Sequence, residues 1–256
     1  MTLERREIVS LDIPVPMRTV WEHLREPSLV RRWYGWDHPG LDDEIQHLFV
    51  ERMVETRDVE GDTTVHRVRW EHNHVKVWAA AHEPRHTRLV MTRPSHQGTS
   101  TFDGVRDEVD EAWIAWLHQL RFAVTTHLDE DRRTISTFGL DAGDPRDRLL
   151  DRAGLVGIHG VVVGGNVQAR RPDGTLLGGT LDYRTPQQLG LRLHGITESY
   201  LVIQEVPAAS HPPHGQVHAI MSTYGLDEAT FDEVDRRWDA WWRLAGGRSA
   251  RADRAG

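Results

Sequence analysis

The groups best equipped for chemistry in this chain are its 16 histidines, 39 acidic residues and 10 tryptophans. His72-Asn73-His74 is a histidine pair of the kind that can hold a divalent ion and polarise water. A turn between two strands accounts for the same residues, and a nuclease site would also need its surrounding fold. His211-Pro212-Pro213-His214, with His218 four residues on, offers a second ligand set. Its prolines mark an exposed loop instead, with no carboxylate close in sequence to complete a shell. Asp110 and Glu111, and the run Asp42-Asp43-Glu44, are expected at the solvated surface, because a catalytic carboxylate needs partial burial to shift its pKa. Ser95 and His96 are adjacent, which does not supply triad geometry. Gly154, Gly157, Gly160 and Gly164-Gly165 do not spell a phosphate loop, which requires strand, G-x-G-x-x-G and helix in that order. No metal, cofactor or catalytic residue is assigned on these grounds.

Binding chemistry has better material. Trp33, Tyr34, Trp36, Trp70, Trp78, Trp113 and Trp116 are flat amphipathic rings whose N–H or O–H groups can orient a polar ligand while the rings bury apolar area. Core packing accounts for the same residues. The candidate ligand-binding set is Trp33, Trp36, His47, Phe49, Trp70, Trp78, Trp113, Trp116 and Leu120. His47 enters it on a predicted strand, with Phe49 as its same-face neighbour, and the loop Asp37-His38-Pro39-Gly40 after Trp36 is placed to cover an entrance.

Two helices must position these rings, and they are copies. Asp107-Glu108-Val109-Asp110 followed by Trp113, Ala115 and Trp116 recurs as Asp232-Glu233-Val234-Asp235 followed by Trp238, Ala240 and Trp241. Seven of ten positions agree, where chance supplies about one in ten. Val109, Trp113, Trp116 and Leu120 stand at i, i+4, i+7 and i+11, as do Val234, Trp238, Trp241 and Ala245, so each set is an apolar helical stripe. Strands are expected over Glu4–Ile13, Glu44–Arg57, Thr63–Trp70, His74–Ala81 and His86–Arg93, then over Thr134–Leu140, Gly160–Arg170, Thr175–Tyr183, Leu189–Leu193, Tyr200–Val206 and Gln216–Thr223. Pro172-Asp173-Gly174 is a strong turn signal. Short helices are expected at Pro16–Arg25, Ser28–Tyr34 and Pro145–Ala153, the last with Asp144 as cap and Pro145 in the first helical position. Each half therefore reads strand, short helices, antiparallel strands, long helix, which is α+β. The modules are set at 1–129 and 130–246, followed by a flexible tail at 247–256.

Composition excludes several other functions. Hydrophobic residues at 38% allow a buried core. With no cysteine there are no disulfides, thiolate sites or cysteine nucleophiles. A net charge of −8 opposes generic attraction to nucleic acid, and Lys76 alone could form a Schiff base. No apolar run is long enough for a membrane span, and Met1–Ile13 lacks the apolar core of a secretory signal, so a cytoplasmic location is expected.

The order of elements, with Val20-Trp21-Glu22-His23-Leu24, Arg31-Arg32-Trp33-Tyr34-Gly35-Trp36 and the segment Asp107-Glu108-Val109 to Leu120, resembles the START-like helix-grip proteins (the SRPBCC superfamily). Within them it resembles the group similar to the heat-shock-protein ATPase activator's C-terminal domain. The resemblance implies two tandem helix-grip modules, each a curved antiparallel sheet wrapped around a long C-terminal helix with a hydrophobic cavity between them. Fold does not set function here. The leading expectation is binding of a small hydrophobic or aromatic molecule without turnover, with a co-chaperone-like or stress-related role and a protein as a second kind of partner. The alternatives are a cyclase or aromatase-type enzyme, in which a His or Arg in the cavity moves a proton, and a protein interaction module with no small ligand.

Overall fold

The computed structural model describes residues 5–61, 63–70, 72–94, 108–195 and 197–246. Packing divides the chain into two units, Met1–Glu130 and Asp131–Gly256. The first runs β1 (Arg5–Ile13), α1 (Met17–His23), α2 (Pro27–Val30), α3 (Leu41–Gln46) continuing into a π-helical turn (His47–Glu51), β2 (Val54–Glu60), β3 (Thr63–Trp70), β4 (Asn73–Trp78), β5 (Thr87–Pro94) and α4 (Glu108–Thr126). Its strands form one antiparallel sheet in the order β1-β5-β4-β3-β2. The second runs β6 (Arg132–Asp141), α5 (Leu149–Arg152), a 3-10 turn (Val156–Ile158), β7 (Asn166–Arg170), β8 (Leu176–Arg184), β9 (Gln188–Leu193), β10 (Ser199–Val206), β11 (Gln216–Tyr224) and α6 (Glu228–Leu244). Its sheet, also antiparallel, has the order β6-β11-β10-β9-β8-β7. In both units the first strand returns beside the last, and a long helix closes the chain. The fold is two tandem α+β helix-grip modules.

Alternation of buried and polar positions along each strand gives the sheets one inner face, seen in Leu11 and Ile13 of β1 and in Val217, Ala219 and Met221 of β11. Register shifts between Glu7 and Val9, between Leu181 and Tyr183, and between Val217 and Ala219 bend strands that would otherwise lie flat.

The two helices are anchored differently. α4 is pinned at its first turn: Asp110, fully buried, accepts a hydrogen bond from Arg93 Nη1 at 2.7 Å and pairs with Arg6. Arg6 and Arg93 are cross-strand partners on β1 and β5, so the register delivers two guanidinium groups to one carboxylate. This corrects the expectation that Asp110 and Glu111 are solvated, since both are fully buried, and Val109 at the head of the predicted stripe is exposed. α6 is held by its indoles. Trp238 Nε1 donates to Thr137 Oγ1 at 2.7 Å and Trp241 Nε1 to the Ala153 carbonyl at 2.9 Å. Asp227 caps its start by accepting from the Thr230 amide at 2.8 Å.

Three local expectations are corrected. Leu41–Glu51 is helical where a strand over Glu44–Arg57 was expected, because Leu41, Ile45 and Phe49 recur every four residues and all three are buried. The strand expected from Gly160 starts at Asn166, since Gly164 turns the chain at φ +85°. Asp144 makes a local turn by accepting from the Arg146 amide, and α5 begins only at Leu149. Ser95, His96, Asp107 and the tail at 247–256 lie outside the described residues.

Trp113 and Trp238 are both buried between helix and sheet. Trp238→Ala removes a full ring and a satisfied N–H, and is expected to lower stability by about 3–5 kcal/mol, measured by urea unfolding. In the first unit, His23 is buried, its Nδ1 lies 2.9 Å from the Thr19 carbonyl, and burial holds its pKa below the ordinary value. The unfolded chain then takes up a proton near pH 6.5 that the folded chain resists. Stability is expected to fall as pH drops from about 6.5 toward the folded pKa, and denaturation midpoints at neutral and mildly acidic pH should show a shallower decline in His23→Gln.

Candidate functional site

The aromatic residues of the first unit pack against one another. Trp33 meets Phe49 edge-on with centroids 5.8 Å apart, Phe49 meets Trp70 at 5.5 Å, Trp70 meets Trp113 at 5.2 Å, and Trp113 meets Trp116 at 5.1 Å. Trp33, Phe49, Trp70, Trp113 and Leu120 are all buried. These rings fill the interior between α4 and the sheet, and Trp33 Nε1 is used on the His23 carbonyl at 2.8 Å.

Two of the expected pocket residues are placed elsewhere. His47 belongs to the π-helical turn, where it is half exposed and its Nδ1 lies 3.0 Å from Glu51 Oε2, so it does not face an interior. Helical geometry sends positions 47 and 49 in different directions, which a strand would not. Trp78 lies on β4 at the parity opposite to the buried Val75 and Val77, with Lys76 Nζ 4.9 Å over its ring.

Trp36 and Trp116 do stand on a recess, together with Gly35, His38 and Glu44. The Glu44 carboxylate accepts from Tyr34 Oη at 2.6 Å and lies 3.3 Å from His38 Nε2. Burial first, and then the Glu44 hydrogen bond, push the Tyr34 phenol well above its ordinary pKa.

The second unit holds a cavity of about 200 Å³ between α6 and the inner face of its sheet. α6 contributes Thr230, Val234, Arg237 and Trp238, spaced i, i+4, i+7 and i+8 along one side. Leu177, Leu193 and Met221 form the apolar wall, at inward positions of β8, β9 and β11. At its rim stand Arg171 and His194. The turn through Pro172-Asp173-Gly174 positions Arg171: Gly174 adopts φ +84°, the Asp173 carboxylate accepts from both the amide and the hydroxyl of Thr175, and the Arg171 amide donates to the Thr175 carbonyl at 2.9 Å. The guanidinium then lies 4.4 Å over the Trp241 ring. Burial lowers its pKa, opposed by the Asp173 charge and assisted by that of Arg237.

His194 follows β9 at the exposed side of the cavity, its Nε2 3.1 Å from Thr180 Oγ1 and its Nδ1 3.8 Å from Glu198 Oε1. A titratable ring therefore faces the space with a hydroxyl on one nitrogen and a carboxylate near the other. An imidazole so placed has the position of a general base toward a molecule in the cavity. Sequence reasoning singled out none of Arg171, His194 or Arg237. The available signals were the turn immediately after Arg171 and the spacing of Arg237 from Val234, which sets it on the edge of the apolar stripe.

Among the described residues no group of three or more His, Asp or Glu stands close enough to hold a metal ion. His214 Nδ1 pairs with Asp141 at 2.9 Å, and His218 Nδ1 accepts from the Gly139 amide at 3.0 Å. No described helix is long and apolar enough to cross a membrane.

No family model matches the chain, and no curated protein matches its sequence. Among solved structures it is similar to BexL, described as the di-domain ARO/CYC of the BE-7585A biosynthetic pathway. The identity is 10% and the TM-score 0.32, covering 95% of this chain and 97% of that one. It is similar to StfQ, the di-domain ARO/CYC of the steffimycin biosynthetic pathway, at 10% identity and TM-score 0.31, covering 94% and 96%. It is also similar to DynU16, a protein of the dynemicin biosynthetic locus, at 14% identity and TM-score 0.27, covering 94% and 95%. The expectation of a non-enzymatic binding protein with a co-chaperone-like role is corrected here. Two of these structures, aligned along almost their full length, are described as ARO/CYC proteins. The heat-shock-ATPase-activator subgroup has no counterpart among the three.

Glu44→Gln removes the charge beside Tyr34 but leaves the ring buried. The Tyr34 phenol is expected to ionise at lower pH than in the parent protein while staying above a free tyrosine, as followed by ultraviolet titration with Tyr34→Phe to assign the signal.

Proposed function

We propose that the chain is an aromatase/cyclase-type enzyme, acting in the second unit's cavity on a carbon chain that bears several carbonyl groups. The observation that carries this reading is the placement of His194, Arg171 and Arg237 on one cavity that also has an apolar face of Leu177, Leu193, Met221 and Trp238. Ring closure of such a chain needs three things: a surface that folds it, a base for an acidic C–H, and a fixed positive charge for the oxyanion that develops. Leu177, Leu193, Met221 and Trp238 supply the surface. In this scheme His194 removes a proton from a carbon flanked by two carbonyls. The resulting enolate carbon bonds to a distant carbonyl carbon, and the new alkoxide takes the proton back from the imidazolium. Loss of water from that alcohol leaves the unsaturated ring. Arg237, on the α6 side of the cavity, supplies the positive charge for the enolate and alkoxide oxygens.

Of the residues singled out in the sequence, Trp36 and Trp116 belong to a separate recess, and we assign the rings of the first unit to scaffolding. The test is conversion of a linear poly-β-keto thioester, followed by mass spectrometry of the cyclic product. His194→Phe is expected to lower the rate about 100-fold or more with an unchanged circular dichroism spectrum. Val234→Trp, which fills the cavity, is expected to abolish turnover. No conversion by the parent protein, or full activity in both variants, would overturn the proposal.

A further inference from the structure

The chain carries 39 acidic against 31 basic residues, yet no aspartate or glutamate is among the residues lining the second unit's cavity, whose charged or chargeable groups are Arg171, Arg237 and His194. Their states of satisfaction differ. Arg237 Nε is bound to Glu233 Oε1 at 2.6 Å, and His194 has Thr180 and Glu198. Two of the hydroxyls on the wall are also engaged: Thr223 donates to the Arg133 carbonyl at 3.0 Å and Thr175 to Asp173 at 2.7 Å. Arg171 is the exception. Its guanidinium makes no hydrogen bond or salt bridge to the described residues, and its Nε is buried without a partner.

An arginine drawn out of water without an acceptor for its N–H groups is destabilising, because its lost hydration is not replaced. The adjacent Asp173 charge offsets this only in part, since its carboxylate is committed to Thr175 in the turn. The Trp241 face beneath it supports the cation and fixes its plane, but offers no acceptor in the plane of its N–H groups. A planar fork of donors, held rigid beside an apolar space, matches a carboxylate or phosphate, which accepts two parallel hydrogen bonds.

We infer that the ligand of this cavity carries an oxyanion, a carboxylate or phosphate group, seated on Arg171 with its apolar body against Leu177, Leu193 and Trp238. The inference rests on the cavity reading under Proposed function and narrows the substrate to molecules that present such a group at the rim. A cavity of about 200 Å³ admits a body of one or two rings, below the roughly 300–1,000 Å³ typical of drug-sized sites.

The test uses the full chain and three probes of one shape, 2-naphthoate, 2-naphthyl phosphate and the neutral 2-naphthamide, titrated by calorimetry at low and high salt. Both anions are expected to bind about 10-fold or more tightly than the amide, with the preference shrinking as salt rises. Arg171→Gln should bring the three within about 2-fold of one another, and Arg171→Lys should keep an intermediate preference, because the charge stays while the fork is lost. Whichever anion binds more tightly identifies the source of the oxyanion. Equal binding of acid and amide by the parent protein overturns the inference and leaves the cavity as the site. Binding of none of the probes overturns the inference along with the cavity itself. Anion-selective binding without ring closure of the keto thioester upholds the inference and sinks the enzymatic reading.

Discussion

Everything in each unit depends on covering the indole face of a C-terminal helix with the inner face of an antiparallel sheet. A tryptophan ring left in water forfeits the largest apolar contribution any side chain offers, so the strands must curve and close over it. The bulges on β1, β8 and β6 are the backbone's response. The hydrogen bonds of Trp238 and Trp241 satisfy the N–H groups that burial would otherwise leave unpaired.

The same constraint is met in two ways, and the difference sets the space left in each unit. In the first unit the helix brings Trp113 and Trp116 to a space already occupied by Trp33, Tyr34, Phe49 and Trp70, and ring-on-ring contacts fill it except for the recess at Trp36 and Trp116. The pairing of buried Asp110 with Arg6 and Arg93 fixes α4 over that packed interior. In the second unit the indoles gather at the C-terminal half of α6, where Trp241 and Trp242 stack at 4.9 Å. Its first turns present Thr230, Val234 and Arg237 instead. Smaller and polar side chains cannot fill the span to the sheet, and a cavity with a cationic rim results. Duplication thus supplies two grips, and divergence along one face of the helix leaves each with a differently lined hollow.

Much of the architecture was legible in the chain because it follows from local periodicity. The copied segments at Trp113 and Trp238 mark both helices, and alternating apolar residues mark most strands within a residue or two. The misreadings share one cause. Leu41–Glu51 carries a run whose apolar residues fit strand or helix almost equally well, and burial of Leu41, Ile45 and Phe49 against the rings selected helix. That selection also turned His47 outward. No local pattern announces the burial of Asp110, because its partners lie 17 and 104 residues away and only the β1–β5 register brings Arg93 and Arg6 together on it.

The amino-acid order by itself determined the α+β class, the duplication, the two indole-bearing helices and the exclusion of cysteine chemistry, since each rests on composition or on short-range spacing. The place and lining of the hollow in each module were decided by tertiary structure, as were the meeting of Arg171 with Trp241 and the placing of His194 on one cavity with it. Those features arise when a turn, a strand end and a helix face, distant along the chain, are brought together, and volume left over between packed surfaces is a property of the assembly that no single segment encodes.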